Sequence, residues 1–307
     1  MGHMSTVRAV VAMGRFHFLL SGLLLYGLGA LFALIAGAAP PRSQVVWGYA
    51  VLMFGHLSVS YSNDYFDYET DKKGMQTPFS GGSGTLQRMP GLRPLALRIA
   101  WGLIACSVLL GTAFVWHFGF SPVFILAIIG GNLLGYYYSA PPLSLSYRGW
   151  GEPATTAATG IVVPGMGYAC AGGGWSPVLA ALLLPAVCYG LAFILTVELP
   201  DREEDSAGGK QTLVVKKGRD AAASIILATC ITATALTGFM SIAGWFPTGI
   251  ESAVAILLSC IPLVSAAYTI RQRPLSKPMS HRIVVTNMSA IIGYVLLFDL
   301  YLLSLLA

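Results

Sequence analysis

The chain has 307 residues, of which 55% are hydrophobic and only 10% carry a charge. Soluble domains usually contain about 25% charged residues. This composition excludes an ordinary soluble protein and predicts an all-α polytopic membrane protein. The net charge of +5 does not indicate a nucleic-acid partner, because the distribution of the basic residues has another explanation, given below.

The first three residues and the cysteines bear on the domain organisation of the chain. Met1-Gly2-His3 is typical of a cloning scar, so we expect one transmembrane domain over residues 4–307. The five cysteines are scattered without a Cys-x-x-Cys pair, which predicts small packing residues and neither a disulfide framework nor a metal site. They are Cys106, Cys170, Cys188, Cys230 and Cys260.

Nine apolar segments approach the ~20 residues that a helix needs to cross the hydrocarbon core. The fifth is the weakest, because it is rich in Ala, Gly and Thr and contains Pro164. In chain order the predicted spans are 15–37, 45–63, 97–118, 122–139, 154–172, 177–199, 221–244, 250–270 and 283–306.

The basic residues support this layout. With nine spans, 17 of the 18 Lys and Arg residues fall on one side of the membrane, and only Arg42 falls on the other. The positive-inside rule then predicts a cytoplasmic N-terminus and an external C-terminus. We therefore expect a multi-pass protein of the cell (plasma or inner) membrane whose long polar loops face the cytoplasm.

The chemistry-bearing residues begin at the end of the second span, in Asn63-Asp64-Tyr65-Phe66-Asp67-Tyr68-Glu69-Thr70-Asp71. Asp64, Asp67 and Asp71 are spaced i, i+3 and i+7, which places them on one face if the stretch is helical. Like charges held so close repel each other, and the spacing therefore predicts an external counter-charge.

A second acidic pair, Asp201 and Asp205, follows the sixth span at i, i+4 spacing. Clustered carboxylates without His or Cys suit Mg²⁺ better than zinc or copper. Mg²⁺ is commonly held by a few carboxylates and by the phosphates of a substrate. Two acidic clusters at the ends of membrane helices thus predict a phosphorylated substrate whose remainder lies in the membrane.

Polar residues within the spans have two interpretations each. His56 lies two helical turns before Asn63 on the same face, and it either faces the reaction cavity or bonds a neighbouring helix. Asn132 and Tyr136 share a face and either line the same cavity or pack between helices. Asp299 in the last span is costly in lipid, and we expect a structural pairing for it.

The cations beside the acidic motifs are candidate phosphate ligands. Lys72, Lys73, Arg148 and Lys210 all lie in the predicted cytoplasmic loops. A lysine in a glycine-bearing loop near carboxylates, such as Lys210, can bind a phosphate as a point charge. The alternative for each is a topological charge alone, which is also our interpretation of Lys216, Lys217 and Arg219.

Asn63-Asp64-x-x-Asp67-x-x-x-Asp71 followed by Asp201-x-x-x-Asp205 resembles the two aspartate-rich motifs of the UbiA superfamily of intramembrane prenyltransferases. The resemblance covers nearly the whole chain in helix count, orientation, motif order and motif separation. It implies nine transmembrane helices around a central cavity with cytoplasmic loop caps. It also implies catalytic roles for Asp64, Asp67, Asp71, Asp201 and Asp205.

The resemblance further implies a ligand set. Mg²⁺ on an isoprenyl pyrophosphate would be held by Asp64, Asp67, Asp201 and Asp205. The substrate-binding residues expected around it are Asn63, Lys72, Tyr138, Arg148, Lys210, His56 and Asn132.

The loop after the fourth span indicates which branch of the UbiA superfamily the chain resembles. Tyr136-Tyr137-Tyr138-Ser139-Ala140-Pro141-Pro142, continuing to Glu152, resembles the corresponding loop of 1,4-dihydroxy-2-naphthoate polyprenyltransferases, and Gly81-Gly82-Ser83-Gly84 has the same character. Many 4-hydroxybenzoate enzymes have an Arg-x-x-Arg-Pro stretch after the first motif, where this chain has Gln76-Thr77-Pro78. This departure weakens a hydroxybenzoate assignment.

The resemblance implies that a polyprenyl group is transferred from its pyrophosphate to an aromatic acceptor, and the loop favours 1,4-dihydroxy-2-naphthoate in menaquinone biosynthesis. Other acceptors stay open: a lipid-glycerol phosphate, a phenazine, a porphyrin or another quinone precursor. The rival class is an ion-coupled secondary transporter, but transporter carboxylates are expected near the midplane. Here they cluster at one membrane face. Chain length of the donor and oligomeric state are not predicted.

Overall fold

The computed structural model describes residues 5–72 and 82–307, and every regular element in those residues is a helix. Short 3-10 turns cover Pro90–Leu92 and Leu145–Tyr147, and a π-helix at Ala158–Val162 joins α8 to α9. In chain order the α-helices are α1 (Thr6–Met13), α2 (His17–Ile35), α3 (Arg42–Phe66), α4 (Tyr68–Asp71), α5 (Thr85–Arg88), α6 (Arg93–Phe118), α7 (Val123–Tyr136), α8 (Gly151–Ala157), α9 (Val163–Cys170), α10 (Pro177–Glu198), α11 (Arg202–Ala207), α12 (Leu213–Lys217), α13 (Arg219–Ile242), α14 (Ser252–Arg271) and α15 (Lys277–Ser304).

Within the described residues, six helical stretches are long and apolar enough to cross a membrane. The all-α membrane class is thereby confirmed. The six are Thr6–Ile35, Pro90–Phe118, Pro177–Glu198, Arg219–Ile242, Ser252–Arg271 and Lys277–Ser304.

The other three predicted spans coincide with helices that do not meet this criterion. α3 is long, but its second half carries Asn63 and Asp64. α7 has 14 residues, so it is only about 21 Å long, less than the ~30 Å hydrocarbon core. The predicted span at 154–172 is divided by the π-helix, and Pro164 stands in the first turn of α9. A proline has no N–H to donate to the preceding turn, so the regular helical hydrogen-bond ladder is interrupted where the π-helix meets α9.

The described chain forms two compact units, and we describe each by itself. The first contains Met1–Gly22, Trp47–Gly151 and Glu203–Thr212, and the second contains Leu23–Val46, Glu152–Arg202 and Leu213–Ala307. The prediction of a single domain over 4–307 and that of a central cavity stay predictions. The proposed scar at Met1-Gly2-His3 lies outside the described residues.

The second unit is held together by close helix packing. α10 packs against α13 and α15, and α14 lies against both α13 and α15. Many of the buried positions are alanines, among them Ala222, Ala223 and Ala255. Small residues let helix backbones approach closely, which supplies the van der Waals contact that drives association in lipid. The backbones approach most closely at Gly29 of α2, where even a Cβ atom would overlap the backbone carbonyl of Pro164.

In the first unit, polar side chains link neighbouring helices. Ser107 Oγ of α6 donates to the carbonyl of Val51 in α3 at 2.9 Å, and Asn132 Nδ2 of α7 donates to Ser107 Oγ at 3.0 Å. The Tyr61 hydroxyl donates to the Val10 carbonyl at 3.0 Å, which ties α3 to α1. Hydrogen bonds of this kind stabilise helix pairs where water is absent.

Candidate active site

The first acidic motif lies where α3 gives way to α4. α3 ends at Phe66 and α4 begins at Tyr68, with Asp67 between them at φ −86° and ψ 5°. The backbone bonds continue across this bend: Asp67 N–H donates to Asn63 O, and Asp71 N–H donates to Asp67 O, each at 2.8 Å. The motif therefore keeps a helical hydrogen-bond pattern with a bend at Asp67, and the shared face of Asp64, Asp67 and Asp71 stays a prediction.

Asp64 is buried and bonded to the loop that precedes α5. Its side chain is 3% exposed. The backbone N–H of Ser83 donates to Asp64 Oδ1 at 3.0 Å, and the Ser83 hydroxyl donates to Oδ2. Gly82 has φ +69°, and a Cβ there would overlap the Asp71 carboxylate. The glycine therefore lets the loop backbone approach the carboxylates closely.

Asp67 is held by two hydroxyls from the loop after α7. Ser139 Oγ donates to Asp67 Oδ2, and the Tyr147 hydroxyl donates to Oδ1, both at 2.8 Å. The Tyr147 oxygen also lies 3.0 Å from Thr70 Oγ1. Loop residues on both sides of Pro141-Pro142 thus orient one carboxylate of the first motif.

Asp205 of the second motif belongs to the same unit and forms a buried ion pair with Lys210. Lys210 Nζ lies 3.3 Å from Asp205 Oδ1, and the two side chains are only 15% and 9% exposed. Nζ also lies 5.6 Å from the centre of the Tyr147 ring. Lys210 therefore places a positive charge beside residues of both motifs.

The electrostatics reflect burial and crowding of like charges. Burial and, to a smaller extent, the charge of Asp67 together raise the pKa of Asp71 to about 7, against the opposing influence of Lys210. Burial also raises the pKa of Asp205 against the influence of Lys210. Burial by itself would lower the pKa of Lys210, but the carboxylates of Asp67 and Asp205 raise it well above the usual value. Lys210 and Arg15 are the cations that oppose these charges among the described residues, and two positive charges do not neutralise the four carboxylates of Asp64, Asp67, Asp71 and Asp205.

Within residues 5–72 and 82–307, no three His, Cys, Asp or Glu side chains are arranged as a ready metal site. Serine and tyrosine hydroxyls and Lys210 engage the carboxylates instead. The side-chain atoms of Asp64, Asp67 and Asp71 that could bind a metal ion are all carboxylate oxygens. Such ligands fit a hard cation such as Mg²⁺ and do not fit zinc or copper.

The other predicted phosphate ligands in the described chain, Lys72 and Arg148, are exposed, unlike Lys210. Lys72 is exposed, pairs with Glu69 at 3.2 Å and lies over the Tyr68 ring at 4.1 Å. Arg148 is exposed, and its side chain contacts no carboxylate in the described part of the chain. Lys73 and the Gln76-Thr77-Pro78 stretch lie outside the described residues.

For the polar residues inside the spans, the structure shows packing contacts. The His56 ring lies against Gly22 of α2, where a Cβ would come within 2.5 Å of Nδ1. Asn132 bonds Ser107 as described above and also donates to Ile128 O at 2.8 Å. Asn63 Oδ1 is buried without a hydrogen-bond partner among the described residues.

Tyr138 lies close enough to Lys210 to contribute to its raised pKa. The Tyr138 carbonyl accepts bonds from the N–H and hydroxyl of Ser146, both at 2.9 Å. The expected pairing of Asp299 is absent at one oxygen: Oδ1 is buried and has no hydrogen-bond partner in the described chain. The small residue Gly27 leaves room beside the other oxygen.

Asp201 belongs to the second unit and directly precedes α11. The sequence assigned Arg219 a topological role only, but Arg219 is 7% exposed and donates from Nε to the Leu199 carbonyl at 2.8 Å and from Nη2 to the Pro200 carbonyl at 3.4 Å. Its buried guanidinium thereby satisfies carbonyls at the end of α10, immediately before Asp201.

Hydrogen bonding identifies site residues that the spacing of charges does not predict. Ser83, Ser139 and Tyr147 carry no charge, and only the resemblance of their loops pointed to them. Glu152 is 5% exposed and accepts from the backbone N–H of Leu213, the first residue of α12. A carboxylate at a helix N-terminus is stabilised by the unpaired N–H groups there.

Comparison with known proteins identifies the class. The chain belongs to the UbiA prenyltransferase family, whose sequence model matches residues 23–291. This is a family of enzymes that transfer prenyl groups, and its members are multi-pass integral membrane proteins.

Solved structures share the fold. A UbiA homologue from Archaeoglobus fulgidus bound to DMAPP and Mg²⁺ superposes with a TM-score of 0.69 at 18% identity, over 96% of this chain and 98% of the other. The apo structure of a UbiA homologue from Aeropyrum pernix K1 gives a TM-score of 0.67 at 17% identity, over 93% and 98%. Identities this low establish the common fold alone.

The curated relatives divide between two activities. The chlorophyll synthase of Arabidopsis thaliana is 28% identical over 200 residues, which is 63% of this chain and 50% of the relative. The 1,4-dihydroxy-2-naphthoate octaprenyltransferase of Bacillus subtilis is 26% identical over 176 residues, 56% of this chain and 54% of the relative. The chain thus spans about half the length of the curated relatives it matches.

Proposed function

We propose that this protein transfers a polyprenyl group from its diphosphate to an aromatic acceptor. The observation that carries the proposal is the cluster of buried Asp64, Asp67 and Asp205 and half-buried Asp71, with Lys210 and Arg15 as the opposing charges. A surplus of buried negative charge is unfavourable without added cations. Divalent cations would supply the positive charge that both these carboxylates and a bound diphosphate need, and the apolar tail of the substrate would lie among the helices.

The cation we propose is Mg²⁺, held by Asp64, Asp67, Asp201 and Asp205. When bound, it would neutralise charge on the diphosphate and so make it a better leaving group. Ser83, Ser139 and Tyr147 hold Asp64 and Asp67 in place, which limits the rearrangement needed when a ligand arrives. The binding of Mg²⁺ with DMAPP by the A. fulgidus homologue supports this assignment.

In the reaction we propose, the bond between the allylic carbon and the diphosphate oxygen breaks, and the diphosphate takes the electron pair. Lys210 stabilises the charge that develops on the departing oxygens as a point charge. The electron-rich ring of the acceptor then attacks the allylic cation. Loss of a ring proton, or of carbon dioxide from a ring carboxylate, restores aromaticity.

The acceptor we favour is 1,4-dihydroxy-2-naphthoate, which would make the product a menaquinone precursor. The Tyr138-to-Glu152 loop and the likeness to the B. subtilis enzyme support it. The likeness to chlorophyll synthases supports a second candidate, a tetrapyrrole precursor of chlorophyll.

We further propose nine membrane crossings in a cell membrane, with the N-terminus and both acidic motifs in the cytoplasm. The 17-to-1 distribution of basic residues supports this orientation. Helices are present at all nine predicted places in the described chain.

The decisive experiment incubates purified full-length protein with a prenyl diphosphate and either 1,4-dihydroxy-2-naphthoate or a chlorophyllide, with Mg²⁺ or with excess EDTA. We expect metal-dependent diphosphate release and prenylated naphthoate. Asp67→Ala should reduce turnover by more than about tenfold, roughly 1.4 kcal/mol in the barrier. The control Glu251→Ala, which removes an exposed carboxylate outside the acidic motifs, should leave turnover unchanged. Product from chlorophyllide alone would reassign the acceptor, and full activity in EDTA would contradict the Mg²⁺ proposal.

A further inference from the structure

An open cavity of about 490 Å³ lies at the seam between α14 and α15, and none of its lining residues belongs to the candidate active site. Its volume is within the range of about 300–1,000 Å³ that is usual for ligand pockets. Val264 and Tyr268 are 67% and 45% exposed, so the cavity opens at the surface. The lining residues are Ile261, Val264, Ser265, Tyr268, Thr286 and Ala290.

The seam is polar at one end only. Two of its hydroxyls are already engaged, because Ser265 Oγ lies 2.5 Å from Asn287 Oδ1 and Thr286 Oγ1 donates to the Arg282 carbonyl at 3.0 Å. The Tyr268 hydroxyl has no hydrogen-bond partner in the described part of the chain. Ile261, Val264 and Ala290 form an apolar remainder.

Two exposed arginines stand at the polar end. Arg271 ends α14 three residues beyond Tyr268, and Arg282 precedes Thr286 by four residues on α15. Each therefore lies about one helical turn from the lining and on the same side of its helix. Neither guanidinium forms an ion pair with a carboxylate of the described chain. The positive-inside rule puts both at the level of the cytoplasmic headgroups, where an interfacial tyrosine is also typical.

We propose that this seam binds an anionic glycerophospholipid of the surrounding membrane. The phosphate would lie between Arg271 and Arg282, because guanidinium groups form paired, charge-assisted bonds with phosphate oxygens. The Tyr268 hydroxyl would donate to an ester or glycerol oxygen, and one acyl chain would lie against Ile261, Val264 and Ala290. Basic pockets between membrane helices on the cytoplasmic side suit such headgroups.

Native mass spectrometry of delipidated full-length protein tests the proposal with phosphatidylglycerol and phosphatidylcholine as probes. We expect saturable phosphatidylglycerol binding that exceeds phosphatidylcholine binding. The double variant R271Q/R282Q should weaken phosphatidylglycerol binding by roughly tenfold or more, since each basic residue near the headgroups contributes to the attraction. The control R8Q/R98Q removes the same charge from exposed arginines on α1 and α6 and should bind like the wild type.

A second variant tests the chain-binding part. Ala290→Phe narrows the seam without changing the charge, and we expect it to weaken phosphatidylglycerol binding as well. Equal binding of the two lipids, or equal losses in R271Q/R282Q and R8Q/R98Q, would overturn the proposal. Stoichiometric displacement of the lipid by geranyl diphosphate would also overturn it, because the seam would then be a site for the prenyl donor.

Discussion

At the scale of single residues, burial separates two lysines that look equivalent in the sequence. Lys72 and Lys210 both follow an acidic motif. The Lys72–Glu69 pair is 43% and 70% exposed, whereas the Lys210–Asp205 pair is 15% and 9% exposed. Exposed ion pairs contribute little, because water and salt screen them. A charge in the interior interacts much more strongly with its neighbours.

We therefore predict that Lys210→Gln impairs use of the prenyl diphosphate and that Lys72→Gln does not. A lost charge-assisted contact costs about 1.5–3 kcal/mol, which should appear as a large rise in the donor KM when binding equilibrates rapidly. Steady-state kinetics at varied donor concentration measure this directly.

Lys210→Arg keeps the charge and should retain more activity than Lys210→Gln. The melting temperature of each variant in detergent distinguishes a lost contact from a lost fold. Equal kinetics for the Lys72→Gln and Lys210→Gln proteins would contradict the assignment of Lys210.

At the scale of elements, both acidic motifs lie at helix ends that side chains of other segments complete. The bend at Asp67 is covered by hydroxyls of Ser139 and Tyr147. The end of α10 is covered by Arg219, the first residue of α13. Carbonyls at a helix C-terminus lack helical partners, so a buried guanidinium there contributes to stability and fixes the path of the chain.

Replacing Arg219 with Leu should destabilise the protein. The Leu199 and Pro200 carbonyls would be left buried without their donor, at a cost of about 1–3 kcal/mol. We expect a lower melting temperature in detergent and reduced prenyl transfer, because Asp201 follows these carbonyls directly.

Lys217→Gln is the matched control, because Lys217 is an exposed cation two residues earlier in the chain. It should leave both stability and activity unchanged. If Arg219→Leu melts like Lys217→Gln, Arg219 has no structural role beyond membrane topology.

At the scale of the whole molecule, the charge distribution predicts which loops face the cytoplasm. The single-cysteine variants Ser206→Cys and Gly174→Cys, in a background without the native cysteines, should report opposite sides. Ser206 is exposed in α11, and Gly174 lies in an exposed loop where a Cβ meets no neighbouring atom. An impermeant thiol reagent added to intact cells should label the Gly174→Cys protein only, and labelling of the Ser206→Cys protein would refute the orientation.

The fold class and the candidate chemistry follow from the sequence because each depends on local or additive properties. Hydrophobic length and the distribution of basic residues predict membrane helices and their orientation. The spacing of Asp64, Asp67 and Asp71 predicts a carboxylate cluster, since their separation along the chain limits how far apart they can lie. What is confirmed is that the chain is a membrane protein of the UbiA prenyltransferase family with six long apolar helices in its described part. The nine spans and the acceptor stay predictions.

Tertiary structure alone decided which charges are buried and which neutral groups hold them. Lys210, Lys72 and Arg148 carry the same charge in similar loops, but of these three only Lys210 lies among buried carboxylates of the described chain. Ser139 and Tyr147 reach Asp67 across more than 70 residues of sequence. Side-chain burial and long-range hydrogen bonds depend on how distant segments pack, and neither spacing nor periodicity along the chain contains that information.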